Sequence, residues 1–88
     1  MARLAGKKAI VTGAGQTPGE TIGNGRATAM LFAREGAEVM CVDRRLASAQ
    51  ETVAMITGEG GNAFAYECDI TTGAANAALV RAASEKLG

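Results

Sequence analysis

The sequence predicts an α/β fold built on a parallel sheet, and two observations carry that prediction. Short apolar runs alternate with helix-length amphipathic segments in the order β-α-β-α-β-α. The stretch from Lys8 to Arg26 joins the first run to the first helix through a glycine-rich loop, a pattern suited to holding phosphate. Connections of helix length require parallel pairing with right-handed crossovers.

The elements follow in order. Lys7 to Thr12 reads as the first strand, and its continuous run Ala9, Ile10, Val11 predicts burial on both faces. The glycine loop extends from Gly13 to about Gly23. A helix is predicted from Asn24 or Gly25 to Glu35, with Ala27, Met30, Leu31 and Arg34 marking one face and Gly36 as its stop. Glu38 to Val42 forms the second strand, closed by Asp43. Leu46, Ala49, Val53 and Ile56 give the second helix its stripe, over about Leu46 to Thr57. Gly58, Gly60 and Gly61 break the chain before a third strand from Asn62 to Cys68. A last helix is expected from about Ala74 to Leu87, capped by Thr71 or Thr72, with Asn76, Val80, Ala83 and Leu87 on one side.

With a glycine loop after its first strand, this order fits a Rossmann-like half, strand order 3-2-1, truncated before a fourth strand. The 88 residues form a single partial domain over 1–88. The open edge beside the first strand would be a pairing surface.

Composition narrows the function classes. Lys plus Arg (9) equals Asp plus Glu (9), and no basic stripe carries interleaved aromatics, so nucleic acid is not an expected partner. No apolar run approaches the ~20 residues of a membrane span. The first residues lack a signal-peptide core. Two cysteines and no histidine point to a reducing, cytoplasmic setting, with Cys41 and Cys68 read as buried free thiols; a disulfide or redox pair is the alternative. The same counts make a zinc site improbable, and no metal ligand is assigned.

The loop carries the chemistry. A dinucleotide pyrophosphate needs backbone N–H donors, close approach and the positive end of a helix. Gly13 permits a tight turn after the strand, Gly23 or its neighbours let the backbone approach phosphate, and Gly25 lets the helix pack near the strand. Asp43 is a second, independent signal. It closes the second strand 18 positions after Gly25, near the ~20 expected of a ribose-binding acid. A carboxylate there accepts from both ribose hydroxyls and repels a 2′-phosphate, which favours NAD over NADP. Arg44 and Arg45 pull the other way, since either can pair with such a phosphate. A solvated strand-end turn is the bland reading of Asp43.

The residues T-G-A-G at Thr12 to Gly15, G-N-G-R-A-T-A at Gly23 to Ala29, L-F-A-R-E-G-A at Leu31 to Ala37, V-D-R at Val42 to Arg44 and C-D-I-T at Cys68 to Thr71 resemble the N-terminal part of a short-chain dehydrogenase/reductase. The resemblance covers nearly the whole chain. It implies that Thr12 fixes the loop, that Gly13, Gly23 and Gly25 line the pyrophosphate, and that Asp43 binds the adenosine ribose. It places Asp69 beside the adenine amino group, with Ile70 supplying a backbone contact. Gly15, Asn24 and Arg44 belong to the same cofactor-binding set. Without a ligand, Asp69 would simply be a turn carboxylate at a helix start.

Two departures from the family pattern stand out. Thr12 to Gly25 is 13 positions where the pattern T-G-x-x-x-G-x-G takes seven, so six residues, about Gln16 to Thr21, are inserted. The insert either folds over the cofactor or bulges from the surface. The family's catalytic serine, tyrosine and lysine are expected downstream of a fourth strand. Tyr66 is the single tyrosine, four positions before Ile70 rather than a lysine, and reads as a sheet residue. Ser48 and Ser84 read as helix-surface residues. No catalytic residue is assigned, and the chain alone is expected to be inactive.

Three functions compete. The first is the cofactor-binding part of an NAD-dependent oxidoreductase moving hydride between nicotinamide and an alcohol or ketone, with a C-terminal half elsewhere. The second is a non-catalytic nucleotide-binding module that pairs with another copy of itself. The third, another Rossmann user such as a methyltransferase, is disfavoured because Thr12 stands where such enzymes place an acid.

Overall fold

The computed structural model describes residues 6–15, 24–68 and 73–87. Strand β1 (Lys8–Thr12) leads to helix α1 (Asn24–Arg34), then β2 (Glu38–Asp43), α2 (Leu46–Gly58), β3 (Asn62–Glu67) and α3 (Gly73–Leu87). The strands form one sheet in the order β1-β2-β3, parallel throughout. This is the expected order, with β2 central.

Alternation along β2 divides the core between the two sheet faces. Val39 and Cys41 point to one side, where Ala29 and Ala33 of α1 and Ala49 and Ile56 of α2 cover them. Met40 and Val42 point to the other, where Leu79, Ala83 and Leu87 of α3 cover them. Phe64 and Tyr66 of β3 join this second cluster, and the Lys86 ammonium lies 5.9 Å over the Phe64 ring. The two cysteines are free and buried, Cys41 in the first cluster and Cys68 in the second.

Helices α1 and α2 end alike. Gly36 (φ 98°) and Gly60 (φ 87°) each sit just beyond a helix in the left-handed region. The following amides, of Ala37 and Gly61, donate back to Phe32 and Ile56 carbonyls at 3.1 and 3.0 Å, closing paired C-terminal caps.

Four expectations change. Only Val11 of the first strand's apolar run is buried; Ile10 is 45% exposed, because α3 covers β2 and β3 rather than β1. The inward face of α1 is Arg26, Ala29 and Ala33, not the stripe through Leu31, which is 53% exposed. The small residues face inward because α1 lies close to the turn after β1. Ser48 is buried rather than superficial, since α2 turns it toward that same turn. On α3 the buried line is Leu79, Ala83, Leu87, and Val80 is outside it. The side chain of Asn76 and the cap positions Thr71 and Thr72 lie outside the described residues.

Candidate functional site

The strands end together at one edge of the sheet, where Thr12 is level with Val42 and Asp43 with Glu67. The chain leaving β1 does not depart at once. The Ala14 N–H donates to the Val42 carbonyl at 2.9 Å, extending the ladder by one residue past a left-handed Gly13 (φ 64°). The next amide, of Gly15, donates to Asp43 Oδ2 at 3.0 Å. Asp43 Oδ1 accepts from the Arg45 N–H at 2.9 Å. The carboxylate therefore ties the glycine turn to the start of α2. A carboxylate has about four acceptor positions, so two remain beyond these backbone bonds among the described residues.

Two glycines are set by proximity. A Cβ at Gly25 would overlap the Gly13 carbonyl and lie 3.2 Å from the Ala14 Cα, so the first turn of α1 seats directly on the backbone of the β1 turn. A Cβ at Gly15 would overlap the Ser48 Cβ and lie 2.8 Å from Asp43 Oδ2. Gly15 thus serves contact with β2 and α2, while Gly25 sets the approach of α1.

Beneath this turn lies a polar cluster that sequence reading missed. Arg26, 6% exposed, lies between α1 and α2. Its Nε donates to Thr52 Oγ1 at 2.9 Å, and its Nη2 to the Ser48 carbonyl at 3.4 Å and Glu51 Oε1 at 3.3 Å. The Thr52 hydroxyl, fully buried, donates to the Ala14 carbonyl at 2.6 Å. Burying a guanidinium is costly unless its donors are met; no buried side-chain polar atom among the described residues lacks a partner. The available signal was an arginine placed three positions before the alanine at 29 on a helix of small residues, with Ser48 and Thr52 four apart on the next helix.

The structure brings Thr12, Gly13, Gly15, Gly25 and Asp43 to one edge of the sheet, with Asn24 opening α1 and exposed Arg44 following Asp43. Gly23, Asp69, Ile70 and the Gln16 to Thr21 insert lie outside the described residues. Tyr66 is half-buried against the α3 cluster. Burial pushes the Cys41 thiol up to about 11. Among the described residues no group of three acidic, cysteine or histidine side chains could hold a metal, and no helix is long and apolar enough to cross a membrane.

A parallel β-α-β-α-β-α unit with a glycine turn at the carboxyl edge of its sheet is the first half of a Rossmann fold. The chain belongs to the short-chain dehydrogenase family, whose family model, "short chain dehydrogenase", matches residues 7–88. Members of this family use NAD or NADP. The chain is 43% identical over 86 residues to the 7α-hydroxysteroid dehydrogenase of Escherichia coli K12, a match that covers 98% of this chain and 31% of that protein. Its structure matches a hydroxysteroid dehydrogenase from Escherichia coli with a TM-score of 0.89 at 42% identity, covering 99% of this chain and 34% of the other. It also matches a 7α-hydroxysteroid dehydrogenase complexed with NADH and 7-oxo glycochenodeoxycholic acid, with a TM-score of 0.88 at 42% identity, covering 99% and 32% of the two chains. The chain thus spans about a third of the length of these relatives.

Proposed function

We propose that the chain is a single, partial dinucleotide-binding domain serving an NAD-dependent short-chain dehydrogenase. The oxidoreductase moves hydride between the nicotinamide and an alcohol or ketone carbon. The observation that carries this reading is Asp43: its carboxylate stands at the carboxyl end of β2, bonded to the Gly15 amide of the glycine turn. With two acceptor positions left, it suits a vicinal diol such as an adenosine ribose. Its charge disfavours a 2′-phosphate, which supports NAD over NADP. The relative solved with NADH supports the same choice.

The residues present fit the cofactor. Among the described residues nothing lies within 4 Å of where a Cβ at Gly13 would stand, and open backbone there suits a phosphate. The seating of Gly25 brings the amino end of α1, the positive end of its dipole, to the same turn. Bound NAD supplies the hydride acceptor. This chain's contribution is to hold and orient the adenosine and pyrophosphate, with Thr12, Gly23, Asn24 and Arg44 completing the turn and Asp69 and Ile70 at the adenine. The serine, tyrosine and lysine of the reaction belong to the part of the relatives that this chain does not span. The dehydrogenase relatives favour this reading over a self-pairing, non-catalytic module. Two free buried thiols support a reducing compartment such as the cytoplasm.

Titration of NAD and NADP against the wild-type chain and Asp43→Ala tests the reading. Hydrogen bonds to a charged group contribute about 1.5–3 kcal/mol each, so NAD affinity is expected to fall roughly 10–100-fold, with NADP affected less. Unchanged NAD affinity would remove Asp43 as the ribose ligand.

A further inference from the structure

The geometry points to Arg26 and Thr52 as positioning residues that preset the glycine turn for the dinucleotide without touching it, an inference that rests on the NAD-binding reading above. Ala14 is held on both sides of its α-carbon. Its N–H is bonded to the Val42 carbonyl at 2.9 Å, and its carbonyl accepts the Thr52 hydroxyl at 2.6 Å. The Gly15 amide, next along the chain, is bonded to Asp43 Oδ2. Three consecutive polar groups of the turn are thereby oriented, one by β2, one by α2 and one by the carboxylate itself.

The single proton of Thr52 has two carbonyls in reach, Ala14 at 2.6 Å and Ser48 at 3.4 Å. Arg26 favours the first: its Nε donates to the Thr52 oxygen at 2.9 Å and so fixes the side of the hydroxyl that accepts, while its Nη2 donates to the Ser48 carbonyl. Arg26 is in turn held by the Ser48 carbonyl and by Glu51, whose side chain is 67% exposed while that of Arg26 is 7% exposed. A guanidinium this buried beside a largely solvated acid is a weak source of stability. Its placement under the turn is better accounted for by orientation. Because Gly25 seats α1 on the Gly13 carbonyl, Arg26 also couples α1 and α2 at the point where the pyrophosphate would lie. A turn fixed in advance loses less conformational freedom on binding, so its affinity is higher.

The test reads the ligand-free chain first. Amide hydrogen exchange is measured at Ala14 and Gly15, with Val39 to Val42 of β2 as the internal reference, in wild type, Thr52→Val and Thr52→Ser. Thr52→Val keeps the shape and removes the hydroxyl, and exchange at Ala14 and Gly15 is expected to quicken by about tenfold while β2 is unchanged. Thr52→Ser keeps the hydroxyl and is expected to remain near wild type. NAD titration of the same variants is expected to show about a tenfold loss for Thr52→Val and rescue in Thr52→Ser.

Equal acceleration in β2, no change at the turn, or Thr52→Ser behaving as Thr52→Val overturns the inference. If Thr52→Val does not fold, Arg26→Met carries the same comparison, since a thioether cannot donate and the Nε bond is removed without altering Thr52. Failure of both variants to fold overturns it too, because the cluster would then hold the domain rather than the turn. Wild-type chain that binds no NAD refutes the cofactor reading, while the exchange pattern still decides whether the clamp exists.

Discussion

Replacing Gly25 with alanine tests the seating of α1 on the β1 turn directly. The added Cβ would meet three backbone atoms: the Gly13 carbonyl oxygen, its carbon at 2.6 Å and the Ala14 Cα at 3.2 Å. None of these is the far end of a flexible side chain, so the helix or the turn must move. Overpacking of this kind costs about 1–3 kcal/mol, and contact with backbone places Gly25→Ala at about 3. Alanine regains at most ~1 kcal/mol of helix propensity, leaving a net loss of about 2 kcal/mol. A domain of this length is held by roughly 4–13 kcal/mol, at ~0.05–0.15 per residue, so the loss is a substantial fraction. Thermal unfolding of the purified chain, followed by circular dichroism, is expected to shift down by roughly 8–16 °C, at about 4–8 °C per kcal/mol.

Gly58→Ala supplies the control. Gly58 ends α2 with nothing among the described residues within 4 Å of the position an added methyl would take and no left-handed φ, so alanine there is expected to be neutral or stabilising by up to ~1 kcal/mol. Gly25→Ala unfolding at or above the wild-type temperature would refute the close approach. Equal losses at both positions would refute the reasoning as well, because the effect would then be one of glycine composition and not of contact.

Two further outcomes follow from the charges and thiols. Cys41 is fully buried and its thiol titrates only near 11, so it is expected to resist an aromatic disulfide reagent at pH ~8 until the chain unfolds; prompt reaction of both thiols in the folded chain would contradict this burial. Arg34 and Glu59 form a two-point ion pair on the surface, Nε to Oε1 at 2.9 Å and Nη2 to Oε2 at 2.8 Å. The hydrogen bond from Arg34 holds the Glu59 carboxyl below its ordinary 4.5, so the pair's contribution is present above that pH and is lost as pH falls through the lowered value. Denaturant unfolding of wild type and Glu59→Gln is expected to show a small gap at neutral pH that closes in acid and shrinks with salt; a gap independent of pH would contradict the pairing.

Much of this protein is written in local patterns. The order of strands and helices, the parallel pairing and the position of the glycine turn all follow from periodicity and turn chemistry that act within a few residues. Asp43 was legible for the same reason: an acid closing a strand at the expected spacing after a glycine turn is a one-dimensional signal. The inward face of α1 was not legible. In a helix rich in alanine, the line through Arg26, Ala29 and Ala33 and the line through Ala27, Met30 and Leu31 both satisfy helical spacing. Arginine on an apolar face looks like a solvated residue until its partners are known.

Contacts between distant positions came from the packing of the elements and from nothing local. The Thr52 hydroxyl reaches the Ala14 carbonyl across 38 positions, and Arg26 reaches Thr52 across 26. Gly15 differs from Gly25 because one faces α2 and Asp43 while the other faces the β1 turn. That a glycine turn, a helix start and a strand-closing acid exist in this order was settled along the chain. That they meet at one edge of the sheet, with buried Arg26 and Thr52 beneath them, was settled only in three dimensions. Local propensity depends on neighbours along the chain, whereas burial and hydrogen-bond partners depend on which elements share a layer.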